Sequence, residues 1–465
     1  MTNLFFDDYR ILSRENVIRE QGCPTLIPDS VMRSSENESF AYADPSVTFD
    51  SGTGIYTMYM HPYRQYNGGF VSFSVAYTSR DLIHWEPRNT AREGHVQGYD
   101  YELVYENQYF NRFFNGETIT VIRDDMDTAS RRYKAIANKN DYYGGVDCLL
   151  LTSPDGVHWE EQKGVYCHSR GTEGIGSAFW SDVENCWILA LRPFVGERRV
   201  SILKTTDFKE FTKPSLAIWA DALDDPLSET YGLKAFSYKG WYIGLLHIYH
   251  ALNQNTWKYV GGTMDFQLAY STNGVHWQRY LRKALIDNTP GLSNGMVFGS
   301  SPVIGQDGDI YIITACSEHE HGNHEMGIGA IATYKLREDG FACLTAEAGK
   351  VGRVFTRTIL HRSGDIDFNI KARKATWAFF NHEAKPIDGF THEDCIPFSG
   401  DEKHYVPQFK NGKSIRDLVG SVFSIEVKFE DGSLYSYSGD FINMSQMEVQ
   451  QYLIFGRVPD VKGQN

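Results

Sequence analysis

An all-β chain, with a radially repeated sheet first and a smaller two-layered one after it, is predicted by three observations. A short hairpin recurs along most of the chain, and a second motif keeps phase with it. From about Lys350 both give way to plain apolar–polar alternation.

The first hairpin organises the others. Ala43-Asp44-Pro45-Ser46-Val47-Thr48-Phe49-Asp50 reads as a short strand, Ser51-Gly52-Thr53-Gly54 as a tight turn, and Ile55-Tyr56-Thr57-Met58-Tyr59-Met60 as a second strand. Further copies run over 118–125 with 132–137, 177–182 with 186–191, 233–238 with 241–246, and 301–307 with 310–314. The second motif is Tyr77-Thr78-Ser79-Arg80-Asp81 to Trp85, then Thr152-Ser153-Pro154-Asp155-Gly156-Val157-His158-Trp159, then Ser271-Thr272-Asn273-Gly274-Val275-His276-Trp277, with a weaker copy at Thr205-Thr206-Asp207-Phe208. Together the two motifs supply four strands per unit and five units, which predicts a five-bladed β-propeller over 1–349. Beyond it, 351–355 and 421–429 alternate as half-buried antiparallel strands do, with turns such as Glu430-Asp431-Gly432 between them. A β-sandwich is expected over 350–457, and 458–465 reads as a tail.

Composition narrows the function. The 465 residues are 42% hydrophobic and 22% charged, enough for more than one core. A net charge of −14 argues against a nucleic-acid surface and disfavours anionic membranes. No apolar run reaches the roughly 18 residues of a membrane span. The first residues carry no basic, apolar leader, and the seven cysteines are scattered without a C-x-x-C pair, so a cytoplasmic protein with reduced thiols is expected. The sequence leaves a homo-oligomer open. Aromatics reach 14%, which suits strands and equally suits a carbohydrate partner, whose C–H faces pack on rings.

Antiparallel neighbours put the start of one strand beside the finish of the next, so residues before each first strand and after each second strand converge on one rim of the channel. The first-strand starts supply Asp44, Glu173 and Glu229, with Asn115 and Glu117 in the second copy. The second-strand ends supply His61, Asn138, Arg192, His250 and the pair Glu318 and His319; the loops that follow add Tyr63 and Trp257. Acids, histidines, an arginine and rings around one depression make a sugar-binding rim. The acidic hairpin turns at Asp50, Asp125, Asp182 and Asp307 fall on the other face and read as turn formers.

On the Asp44-Pro45 element and the order Asp44, Glu173, Glu229, the chain resembles the five-bladed glycosidases of the invertase/fructosidase kind (family 32) and the arabinanase/β-xylosidase kind (family 43). Where fructosidases carry Trp-Met-Asn-Asp-Pro-Asn-Gly, this chain reads Ala41-Tyr42-Ala43-Asp44-Pro45-Ser46-Val47; their Arg-Asp-Pro falls at Thr172-Glu173-Gly174 and their Glu-Cys at Glu229-Thr230. The resemblance implies a glycoside hydrolase acting on a furanoside, of the fructan, sucrose or arabinofuranoside kind, without a cofactor. Such hydrolysis needs one ionised carboxylate and one carboxyl kept protonated. Glu229 is expected as the general acid, Asp44 as nucleophile or base, and Glu173 as the group that holds substrate hydroxyls and tunes Glu229. A phosphorylase or fructosyltransferase using Arg192, His250 and Lys139, and a non-catalytic carbohydrate-binding propeller, are the alternatives. His319, His321 and His324 are spaced closely enough to ligate zinc, and some family 43 propellers hold calcium beside a histidine. The reading taken is a polar rim loop with no metal.

Overall fold

The computed structural model describes residues 1–66, 69–88, 97–98, 112–141, 145–168, 175–192, 197–252 and 261–457. Strands dominate, and the chain divides into two compact units, Pro24–Leu336 and a second that joins Met1–Cys23 to Arg337–Asn465.

The larger unit is a succession of antiparallel meanders in chain order. The first contains Ser46–Asp50, Ile55–Met60 and Ser74–Ser79, with Glu86–Pro87 and Arg112–Asn115 at its edge. Next come Glu117–Arg123 to Glu160–His168, and then Ser177–Ser181 to Ser215–Ile218. A fourth runs from Ser228–Tyr238 through Trp241–Ala251 and Gly262–Ser271 to Gln278–Ala284. The last takes Met296–Gly299, Ile310–Ser317 and Ala330–Leu336. Its outer edge comes from the other end of the chain, where Thr25–Leu26 and Met32–Arg33 pair with Ala330–Leu336. Residues from the first strands of four meanders, among them Thr48, Thr120, Ala178 and Ala235, line one cavity of about 310 Å³ together with Ser301, which follows the strand Met296–Gly299 of the last. The meanders are therefore gathered around a common centre, as a propeller requires.

The second motif folds the same way at each copy. The Ser79, Ser153, Thr205 and Ser271 hydroxyls accept from the backbone N–H three residues on, each at 2.9 Å. The acid or amide two places later accepts from the next turn's N–H groups, as Asp81 does from Ile83 and His84 at 2.9 Å. This side-chain capping of a turn is why Ser/Thr and Asp/Asn recur at that spacing. The fourth position has a left-handed backbone, with φ of 64° at Leu82, 73° at Gly156, 54° at Phe208 and 78° at Gly274, which explains glycine at two of the four copies. Trp159 and Trp277 close the turn by donating from Nε1 to the Gly156 and Gly274 carbonyls.

In the smaller unit an eight-stranded sheet is built on two long strands, Ile359–Asn381 and Val422–Asn443. Val422 and Ile442 both lie beside Leu360, so the sheet curls back on itself. Phe368, Trp377, Phe379, Phe423, Ile425 and Tyr437 fill the core between its layers. Val351–Thr356 alternates as expected.

The division falls at Arg337 and not at Lys350, and the first 23 residues lie with the smaller unit although 1–349 was expected as one domain. Pairing is the reason. Val17–Gln21 joins Ala342–Ala346, Ile11–Glu15 joins Val351–Thr356, and Thr2–Leu4 joins Val422–Asn443. Before the tail, Gln446–Phe455 forms a helix, capped by Ser445 and Glu448 in a reciprocal box, that the sequence reading had not separated from the sandwich. Among the described cysteines, Cys148, Cys186, Cys316, Cys343 and Cys395 are buried free thiols and Cys23 is exposed.

Closure of the last meander leans on Ser30, which is buried. Its hydroxyl donates to the Ile27 carbonyl at 2.6 Å and accepts from the Thr333 N–H at 2.8 Å. Ser30→Ala should lower the unfolding free energy by about 1–3 kcal/mol, the cost of leaving a buried donor without its acceptor. Urea denaturation reads this directly, and an unchanged midpoint would show that closure does not rest on this residue.

Candidate functional site

Asp44 ends the approach to the first strand in a left-handed backbone conformation (φ 36°) that a non-glycine residue adopts rarely. Two contacts hold it there. The Ala43 carbonyl accepts from the His61 N–H at 2.9 Å, and Lys234 Nζ donates to Asp44 Oδ2 at 2.9 Å. Lys234 also donates to the Ile119 carbonyl at 3.0 Å, tying the first, second and fourth meanders together at one point. Asp44 is 4% exposed and Lys234 1%. Burial pushes the Asp44 carboxyl up and the Lys234 ammonium down, and their mutual contact opposes both shifts. The second carboxylate oxygen, Oδ1, is buried and has no hydrogen-bond partner among the described residues.

Beside this pair His61 is buried, its Nδ1 3.1 Å from the Thr118 carbonyl. Burial pulls its pKa down to about 4, so the ring is neutral at physiological pH. Glu117, the first residue of its strand, receives the Tyr63 hydroxyl on Oε1 at 2.9 Å and Ser72 Oγ on the same oxygen at 3.4 Å. Burial raises the Glu117 carboxyl, and these donors with the Arg192 guanidinium oppose the rise. Asn138 lies directly across from Glu117 in the strand pair, and both its amide atoms are buried without a partner among the described residues.

A belt of rings continues from Tyr63. Tyr42 meets Tyr63 edge-on at 5.6 Å, meets His321 edge-on at 5.6 Å, and stacks on His324 at 5.2 Å. His321 Nε2 lies 3.1 Å from the Tyr231 hydroxyl. The Arg192 guanidinium sits 4.2 Å over the Tyr231 ring, and Arg198 lies over both Tyr231 and Tyr249. Arg198 is ion-paired with Glu229, which sits inside its strand opposite Tyr249 and not in the loop before it.

The structure thus brings together Asp44, His61, Tyr63, Asn138, Arg192 and Glu229. His250 is engaged elsewhere, by Asp265 at 2.8 Å, a contact that raises its pKa, and by Ser228. His319 is exposed and contacts Asn323, so His321 and His324 are the histidines of that loop that join the ring belt. A loop gives no periodicity from which to choose among them. Glu173 and Trp257 lie outside the described residues. Sequence reasoning missed Lys234, Arg198, Tyr42 and Tyr231; only a charged residue flanked by apolar ones, as Lys234 is between Leu233 and Ala235, could have signalled one of them. Among the described residues no group of three or more His, Cys, Asp or Glu is placed to hold a metal, and no helix is long and apolar enough to cross a membrane.

No protein-family model matches the sequence, and no curated protein matches it. Among solved structures, the chain is similar to a thermostable family-43 glycoside hydrolase at 14% identity (TM-score 0.45), covering 68% of this chain and 95% of that one. It is similar to a fructofuranosidase from Schwanniomyces occidentalis complexed with fructosylnystose at 10% identity (TM-score 0.43), over 88% of this chain and 96% of that one. It is also similar to an N-acetylgalactosamine deacetylase from F. plautii at 11% identity (TM-score 0.46), over 69% of this chain and 95% of that one.

The raised Glu117 carboxyl sets a pH dependence. The folded chain holds this proton more tightly than the unfolded chain does. Its stabilising contribution is therefore intact in acid and declines as pH rises from the ordinary glutamate value through the raised folded one. Unfolding free energies of wild type and Glu117→Gln, compared from about pH 4 to pH 8, should diverge with wild type falling relative to the variant. Parallel curves would mean that Glu117 titrates normally.

Proposed function

We propose that this protein is a glycoside hydrolase, acting on a furanoside and using Asp44 as nucleophile or general base. The observation that carries the reading is that Asp44, just before the first strand of one meander, faces Glu117, and that Glu117 and Glu229, in the first strands of two others, lie at the two ends of one belt of tyrosine and histidine rings. The belt offers faces for sugar C–H groups, and Asn138 and Arg192 offer polar partners for hydroxyls.

Glycosidic hydrolysis needs two carboxyl groups in unlike protonation states. Lys234 supplies Asp44 with a counter-charge, which suits the ionised partner. Burial raises both the Asp44 and the Glu117 carboxyls, but only Asp44 has an ammonium in contact to oppose the rise, which leaves Glu117 the better proton donor. Glu229, expected from the sequence as the acid, is held by the Arg198 guanidinium. We therefore assign the proton to Glu117 and treat Glu229 as the competing candidate, with Glu173 left in its expected hydroxyl-binding role. Arg192 and Arg198 also favour a second reading, transfer to phosphate, because two guanidiniums flank one ring. Phosphate-dependent turnover would select it.

A panel of aryl furanosides and pyranosides, fructans and arabinans tests the reading. Asp44→Asn should lower turnover by about 10²–10⁴-fold on every substrate cleaved. Glu117→Gln should lose as much on poor leaving groups yet keep most of its rate on a dinitrophenyl glycoside, which leaves without protonation. If Glu229→Gln shows that leaving-group pattern and Glu117→Gln does not, the acid is Glu229. Wild-type turnover by Asp44→Asn would end the hydrolase reading.

A further inference from the structure

We propose that Lys234 is a positioning residue that keeps the Asp44 carboxylate ionised and fixes which of its oxygens can react; the inference rests on the reading of Asp44 given above. Lys234 occupies the middle of the strand Ser228–Tyr238, between the buried apolar residues Leu233 and Ala235. Both neighbours are pinned by one side chain of the third meander. Ser177 Oγ donates to the Leu233 carbonyl at 2.8 Å and accepts from the Ala235 N–H at 2.9 Å. The backbone on either side of Lys234 is thus fixed, and its ammonium is aimed at Asp44 Oδ2 and the Ile119 carbonyl. That leaves Oδ1 as the oxygen without a protein partner among the described residues.

A structural ion pair looks different in this molecule. Lys134, equally buried, is shared between Asp124 at 2.6 Å and Asp127 at 3.1 Å and also bonds the Arg131 carbonyl, all within the turn before its own strand. It staples a local turn. Lys234 instead spans 190 residues to a carboxylate in a strained backbone. Among the described residues, the charged or titratable groups that face Asp44 are Lys234, His61 and Glu117, and His247 faces Lys234 from the neighbouring strand. His61 and His247 are kept neutral by burial and Glu117 is biased to its protonated form, so Lys234 is the counter-charge on which Asp44 depends.

The test compares Lys234→Met, Lys234→Arg and the control Lys134→Met, following the Asp44 carboxyl carbon by NMR through a pH titration. Lys234→Met should move the Asp44 midpoint upward by about one unit or more, the size of effect an opposite charge at contact exerts. Lys234→Arg should restore it, and Lys134→Met should leave it unmoved. On any glycoside the wild type cleaves, the acid limb of the rate profile should move with it. If Lys234→Met does not fold at neutral pH, it should recover its fold in mild acid or when combined with Asp44→Asn. An Asp44 titration identical in wild type and Lys234→Met overturns the proposal. So does a Lys234→Met chain that neither acid nor Asp44→Asn restores, because the lysine would then serve packing. A wild type that cleaves nothing in the panel removes the hydrolase reading alone, because the titration still decides the role of Lys234.

Discussion

The buried contact between Lys234 and Asp44 is the constraint on which the centre of the larger unit depends. Two charges withdrawn from water repel their surroundings unless each finds the other, and removing one partner from such a pair typically costs about 3–5 kcal/mol. Replacing both by apolar side chains would cost much less, so stability alone gives no reason to keep them. What the pair does is link remote parts of the chain. The lysine comes from the fourth meander, the aspartate from the approach to the first, and the Ile119 carbonyl from the second. Three remote segments must be correctly docked before the pair is satisfied. The polar groups that surround it then inherit a fixed frame.

Around that frame the surroundings of the three described acids are graded. Asp44 has a full counter-charge, Glu229 has a guanidinium that is itself shared with two rings, and Glu117 has a phenol and a hydroxyl. The ring belt runs from Tyr63, which bonds Glu117, to Tyr231, over which lies the Arg198 that pairs with Glu229.

Much of this was legible in the sequence where the signal is local. The Ser/Thr and Asp/Asn turn recurs because a side chain bonds its own backbone a few residues on, so the motif survives in the linear text. Asp44-Pro45 and the hairpin after it were readable for the same reason. The meander reading also placed Glu117, Asn138 and Arg192 on one rim, because strand starts and finishes alternate by rule. Contacts made across the ring were not legible. Lys234 is one charge in a run of apolar residues, and nothing near it in sequence names Asp44. The last meander was read from Ser301 onward, whereas its inner strand is Met296–Gly299, continued after a break by Val303–Ile304. Pro302, which has no N–H to donate, stands in that break. The outer edge of the same meander consists of two-residue strands near the N-terminus, too short to show any alternation.

Those N-terminal pairings bear on how the chain emerges from a ribosome. Thr25–Leu26 and Met32–Arg33 are made long before their partner Ala330–Leu336, and Thr2–Leu4 must wait longer still, for Ser436–Ser438. Neither unit can be completed by a growing chain in the order of its synthesis. These segments wait for partners made hundreds of residues later, a long loop closes late, and strand edges meanwhile stand open to wrong partners. Stalling or premature termination anywhere before the final strands would release a chain lacking both closures, a ready client for chaperones and proteases.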